Sequence, residues 1–474
     1  MTGSRTNSAG AGEFLVELRR DARVPLHQQL ESRIRDRIRQ GHLRAGTVLP
    51  PTRALAADLG LSRGVVVEAY QQLVSEGYLV SRSGGYTQVA RFAATEPLAA
   101  APHADGAPHR PLRIDFRYCR PDVSRFPRAA WLRSIRRAVN RMPNERFNYL
   151  DGRGAPELRE ALADYLNRVR GTSARPENIL ITNGFAQGLA LVVQVLAATG
   201  SRRLAVEDPS DDEARQVAAA AGIEVVGVPV GEAGIGVEAL ERSGADAVLV
   251  TAAHQFPTGA VLPAESRAAL VAWAARQGAL IVEDDYDAEY RYDRDPIGAM
   301  QGLAPDHVVY AGSASKTLAP GLRLGWLVAP SRLVGELAAA KLAADRGSPV
   351  FEQLAFADFV SHGEFDRHLR RMRPRYRRLR DSLVSALRER LPDLRPTGVS
   401  AGLHVLTWLP ADLDEPAVVE AAARRGVGVY GLAPYRVTGA GDPGLLFGYG
   451  SLSEPTISEG IDLLADAIGS LRTS

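Results

Sequence analysis

At 474 residues, 45% hydrophobic and 24% charged, the chain is long enough for more than one domain and apolar enough to bury large cores, which excludes a mainly disordered polypeptide. Its single cysteine, Cys119, excludes a disulfide scaffold and reads as a small buried hydrophobe in a reducing compartment. A net charge of +2 is too small to imply a nucleic-acid partner by itself. The longest apolar run, Leu189 to Ala198, is interrupted by Gln194 and is too short to span a bilayer. Met1 to Gly12 holds no hydrophobic segment, so the expectation is a cytoplasmic protein without a secretory signal and without a membrane partner.

Residues 14–90 read as a small unit. Leu26, Leu30, Ile34 and Ile38 recur every four residues and predict one helix, ended at Gly41. Pro50-Pro51-Thr52 opens a short second helix closed by Gly60, and Ser62 caps a third carrying Val66, Tyr70 and Leu73. A hairpin follows: Tyr78-Leu79-Val80, a turn at Ser83-Gly84-Gly85, and Tyr86 to Val89. Together these describe a winged helix-turn-helix. Residues 1–90 carry 12 Arg against 8 acidic residues, a net of +4, which leaves −2 for the remainder. The positive excess therefore sits on the part that would meet phosphate. Arg63 begins the third helix, where side chains reach base edges. Ser62 precedes it, Arg53 begins the second helix, and Arg82 with Gly84 and Gly85 forms the wing tip. The alternative is a plain corner between two helices. Residues 91–113 hold seven alanines and Pro97, Pro102, Pro108 and Pro111, the composition of an extended linker.

From 114 to 474 short β runs alternate with helical segments: Ile179–Thr182, Arg203–Val206, Val225–Val228, Ala247–Val250, Ala279–Val282, Val308–Ala311 and Gly325–Val328. The alternation predicts an α/β body with a mostly parallel sheet, and the last stretch of about 100 residues reads as a smaller α+β lobe. Arg367 to Arg380 holds eight arginines and is expected to be a solvated helix face, with Met372, Tyr376 and Leu379 on its inner side.

Of 57 basic residues only Lys316 and Lys341 are lysines. Arginine cannot lose its proton to attack a carbonyl, so each retained lysine is a candidate for amine chemistry, set against the alternative of a solvated surface residue. Lys316 lies in Gly312-Ser313-Ala314-Ser315-Lys316, just after a predicted strand, with Arg323 close behind. Such a set suits an aldehyde carrying a phosphate: the lysine forms a Schiff base while Ser313, Ser315 and Arg323 hold the dianion. At the end of another strand, Asp284 and Tyr286 offer the carboxylate and phenol that the ring nitrogen and 3-hydroxyl of pyridoxal phosphate require. Gly184, Phe185 and Ala186 open a helix and offer a phosphate cradle. Taken singly, Asp284 reads equally as a helix cap and Gly184 as a turn.

The chain from about 22 to 470 resembles the MocR/GabR-type regulators of the GntR superfamily, a winged helix fused to a fold-type I aminotransferase body. Leu49-Pro50-Pro51-Thr52-Arg53, Leu61-Ser62-Arg63, Glu76-Gly77-Tyr78, His254 to Gly259, Val282 to Tyr292 and Gly312 to Trp326 carry the likeness. The resemblance implies pyridoxal phosphate on Lys316, Asp284 at the ring nitrogen, Tyr286 at the 3-hydroxyl, and Arg323 with Ser313 at the phosphate. It implies a homodimer and a double-stranded DNA operator as partners, and a body that senses the cofactor or an amine without turnover; an active aminotransferase with a DNA-binding arm is the alternative. Where such bodies carry a ring-stacking aromatic, this chain has Asp208-Pro209-Ser210-Asp211. Arg436 is the candidate for gripping an effector carboxylate.

Overall fold

Leu30, Ile34 and Ile38 fall on one buried side of helix α1 (Leu26–Arg39), as a four-residue apolar repeat dictates. The computed structural model describes residues 18–22, 24–82, 86–91, 112–292, 297–398, 400–439 and 441–473. The chain divides into two units, Met1–His109 and Arg110–Ser474. Most of the expected linker lies outside the described residues.

In the first unit α1 packs with α2 (Thr52–Leu59) and α3 (Arg63–Ser75) over a core that includes Leu55, Val66, Tyr70, Leu73 and Val89. Gly60 ends α2 at φ +62°, a left-handed conformation that lets the chain turn directly into α3. Strands β1 (Leu79–Arg82) and β2 (Tyr86–Val89) pair antiparallel, with Leu79 opposite Val89 and Arg82 opposite Tyr86. This is the expected winged helix. The wing-tip glycines Gly84 and Gly85 lie outside the described residues.

The second unit opens with β3 (Ile114–Asp115), α4 (Arg128–Arg141) and α5 (Pro156–Arg170). Strands and helices then alternate: β4 (Ile179–Thr182), α6 (Phe185–Ala198), β5 (Arg203–Asp208), α7 (Glu213–Ala220), β6 (Glu224–Gly231), β7 (Gly234–Ile235), α8 (Val237–Ser243), β8 (Ala247–Val250), α9 (Ala264–Gln277), β9 (Leu280–Asp285), β10 (Val308–Ser313), β11 (Gly325–Val328) and α10 (Ser331–Asp345). The strands form one sheet in the order β4-β11-β10-β9-β8-β5-β6-β7. Five consecutive members, β10 to β6 in that order, are parallel, and β11 runs antiparallel between β10 and β4. The central strands are almost wholly buried, which is why they read as unbroken apolar runs.

The chain closes with α11 (Val350–Ser361), α12 (Glu364–Arg390), β12 (Arg395–Thr397), β13 (His404–Trp408), α13 (Glu415–Arg424), β14 (Val427–Gly428), β15 (Tyr430–Gly431), β16 (Gly444–Gly448) and α14 (Glu454–Arg472). Four of these strands make a second sheet, ordered β12-β13-β16-β15, the expected smaller lobe. The arginine run lies on α12. Met372, Tyr376 and Leu379 are buried beneath it, while Arg367, Arg375, Arg377 and Arg378 pair with Glu364, Asp122, Asp381 and Glu454. It is a solvated, ion-paired face.

Candidate functional site

The parallel strands bring their C-terminal ends to one edge of the large sheet, where ligands of such sheets bind. β5 delivers Glu207, β9 delivers Asp284, and β10 delivers Ser313. Because β11 runs the other way, it is its start that lies here: Gly325 pairs with both Ser313 and Thr182, and Arg323 enters two residues before it. These ends enclose a cavity of about 300 Å³ whose walls include Lys316, Ser313, Ser315, Arg323, Asp284, Tyr286, Phe185 and Ala186. Eight of the residues expected from sequence thus share one cavity.

Gly184 stands at the N-cap of α6 with φ +87°, a region that favours glycine. A Cβ there would lie 2.8 Å from the Arg323 guanidinium, so glycine is what lets that cation close over the loop. The guanidinium donates to the Asn183 carbonyl. Behind the loop, Asn183 Nδ2 and Gln187 Nε2 donate to Asp345 at 2.9 and 2.7 Å, and Gln187 accepts from the Asn183 N–H at 2.8 Å. The two residues flanking the start of α6 are thus tied to one carboxylate, and the first N–H groups of a helix have no partner within it.

Burial raises the carboxyls of Asp284 and Glu207. Burial, reinforced by the Asp285 charge, pushes the Asp284 carboxyl well above the ordinary carboxylate range, with Lys316 opposing. Burial pushes Glu207 up to about 7 and the Cys119 thiol up to about 12, and lifts the Tyr286 phenol strongly. Among the described residues the Asp284 carboxylate accepts no hydrogen bond and the Lys316 amine makes none. Tyr286 donates to the His254 carbonyl at 3.0 Å, and His254 Nδ1 lies 3.0 Å from Asp287.

Other wall residues lay outside the expected site set, Glu207, Thr251 and Cys119 among them. Glu207 accepts from the Thr251 hydroxyl at 2.6 Å and its N–H at 3.0 Å. Phe256 lines the cavity from the expected His254–Gly259 loop. Cys119, read from sequence as a core residue, is instead a wall residue at φ +58°; the chain between β3 and α4 carries it to the cavity, which a lone cysteine in sequence does not reveal. Arg436 is not among the wall residues: its guanidinium donates to the Asp442 carbonyl at 2.6 Å. Asp211 is a wall residue, so the position that lacks a ring-stacking aromatic does face the cavity.

In the first unit Arg53, Ser62, Arg63 and Arg82 are all exposed. Arg53 and Arg63 sit in the first turns of α2 and α3, and Arg82 ends β1. Ser62 occupies the N-cap of α3, but its side chain makes no capping bond.

Two family models match the chain. The description "Bacterial regulatory proteins, gntR family" covers residues 26–89, and "Aminotransferase class I and II" covers 122–442. The chain is 34% identical to the probable rhizopine catabolism regulatory protein MocR of Rhizobium meliloti, over 97% of each chain. It is 34% identical to the pyridoxine biosynthesis transcriptional regulator PdxR of Corynebacterium glutamicum, over 93% of this chain and 95% of that one. Among solved structures, the α-aminoadipate aminotransferase LysN of Thermus thermophilus, complexed with N-(5'-phosphopyridoxyl)-L-leucine, superposes with a TM-score of 0.69 at 27% identity, covering 76% of this chain and 93% of that one.

Proposed function

The chain belongs to the regulators that join a GntR-type DNA-binding arm to a class I and II aminotransferase body, and on that premise we propose that it is a transcription regulator that binds an operator in double-stranded DNA and responds to pyridoxal phosphate, or to an amine that meets it in the body. One observation carries the reading. Lys316, Asp284, Tyr286, Ser313 and Arg323 line a single cavity in a chain that also bears an exposed helix-turn-helix.

The cavity fits the cofactor on three points. Asp284 is a half-buried carboxyl with no hydrogen-bond partner among the described residues, the environment that a protonated ring nitrogen would complete. Gly184 leaves a cradle that a Cβ would fill. Lys316 has no hydrogen-bond partner among the described residues, so its amine is available. Pyridoxal phosphate, when bound, supplies an aldehyde for amines and an electron-withdrawing ring. Lys316 is the amine that would anchor it, and Asp284 would hold the ring-nitrogen proton. Tyr286, tied to the His254 carbonyl, would face the 3-hydroxyl. Ser313, Ser315, Arg323 and the N–H groups of Phe185 and Ala186 hold the phosphate.

The likeness to solved aminotransferases favours a second reading, full transamination. Against it stand the absence of an aromatic at Asp211 and the position of Arg436, which does not line the cavity. We favour a sensor, working as a homodimer like other bodies of this fold class. Purified protein with added pyridoxal phosphate is expected to absorb near the visible edge, and borohydride is expected to fix the label on the peptide holding Lys316. Lys316→Arg keeps the charge and is expected to lose both signals. Absorbance retained in that variant would refute the assignment, and multiple turnovers to a keto acid with a common amino acid would refute the sensor.

A further inference from the structure

The second lysine of this arginine-rich chain is spent in the interior. Lys341 is fully buried on α10, and its ammonium donates to Asp345 at 2.5 Å and to the Ser348 hydroxyl at 2.9 Å. The same oxygen of Asp345, Oδ2, receives Asn183 Nδ2 and Gln187 Nε2. Gln187 in turn fixes the Asn183 N–H, and the Asn183 carbonyl receives Arg323. One carboxylate therefore joins a buried lysine to both flanks of the turn that opens α6.

We propose that Lys341 is a positioning residue for phosphate recognition in the cavity, acting through Asp345. The inference rests on the reading that this turn cradles the cofactor's phosphate, and deepens it. Phe185 and Ala186 bring no hydroxyl to the cradle, so its grip comes from backbone N–H groups, whose aim is set by Asn183 and Gln187. Both take their orientation from Asp345. That carboxylate also holds the side chains on both flanks of the proposed cradle, where an uncompensated negative charge would oppose the binding of a dianion. Lys341 cancels it with a compact ammonium that fits between Asp345 and Ser348. A planar guanidinium is larger and demands a forked set of acceptors that this pocket does not provide.

The test is selectivity between pyridoxal phosphate and pyridoxal, measured on the full chain by titration for wild type, Lys341→Met and the double variant K341M/D345N. In K341M the partly exposed Asp345 carboxylate loses its cation. Affinity for pyridoxal phosphate is expected to fall by about tenfold or more, with pyridoxal affinity changed far less. In K341M/D345N the amide oxygen of residue 345 still accepts from Asn183 and Gln187 without a charge behind the phosphate, so most of the selectivity is expected to return. A merely structural lysine would lower both affinities together and leave the double variant no better than the single one. Wild-type selectivity in both variants would overturn the proposal. If K341M fails to fold, the double variant decides alone: near-wild-type selectivity supports the charge argument, and loss of both ligands equally refutes it. If wild type itself shows no preference for the phosphorylated ligand, the reading of the cradle fails instead.

Discussion

Lys316 and Lys341 show how burial and partners separate two chemically identical side chains. Lys316 lines the cavity with no hydrogen-bond partner among the described residues, which suits a nucleophile. Lys341 is sealed in an ion pair, which suits a fixed charge, and it is no competitor for an aldehyde. Glu207 has a consequence of its own. Burial holds its carboxyl protonated in the fold up to about pH 7, against an ordinary value of 4.5. A group whose native value is raised binds its proton more tightly in the fold. Its stabilising contribution is complete below pH 4.5 and is lost as the pH rises to about 7. Glu283 behaves in the same way. Melting temperature without cofactor is therefore expected to fall between about pH 5 and about pH 8, and Glu207→Gln, neutral throughout, is expected to reduce that fall. An identical fall in the variant would show that Glu207 does not titrate in this window.

At the scale of elements, the site exists because strand ends converge. The first turn of α3 does the corresponding work in the DNA-binding arm. Arg63 is the first residue of that helix and is exposed, in the position from which helix-turn-helix side chains reach base edges. Arg63→Ala is expected to cost about 1–3 kcal/mol on the operator and less on random DNA. Equal losses in a gel-shift titration on both DNAs would make it a phosphate contact. Much of this was legible in sequence because the signals are local. The apolar runs marked the strands, and Asp284, Ser313 and Lys316 follow such runs directly. Glu207 also follows one, but its membership of the cavity depends on β5 lying beside β8, a pairing across more than 40 residues (Leu204 with Ala247) that no local pattern encodes. Cys119 reaches the cavity from far upstream for the same reason. Arg436 was singled out by likeness to aminotransferases, and in the fold its guanidinium donates to the Asp442 carbonyl. The antiparallel course of β11 was equally hidden, since a buried strand reads the same in either direction.

A DNA-binding arm and a cofactor cavity share one chain. A ligand can change DNA binding only if it favours one arrangement of the protein over another. Allosteric couplings of this kind are commonly about 1–3 kcal/mol, so the expected change in operator affinity on adding pyridoxal phosphate is several-fold to about a hundredfold. Lys316→Ala removes the proposed anchoring amine while leaving the residues of the DNA-binding arm unchanged, and is expected to keep basal DNA binding while losing the response. The most direct measurement is a titration of the operator, selected from random DNA by the wild-type protein, with and without pyridoxal phosphate, for wild type and Lys316→Ala. The account expects a shift in wild type and none in the variant; operator affinity indifferent to pyridoxal phosphate and to amines in both proteins would contradict it.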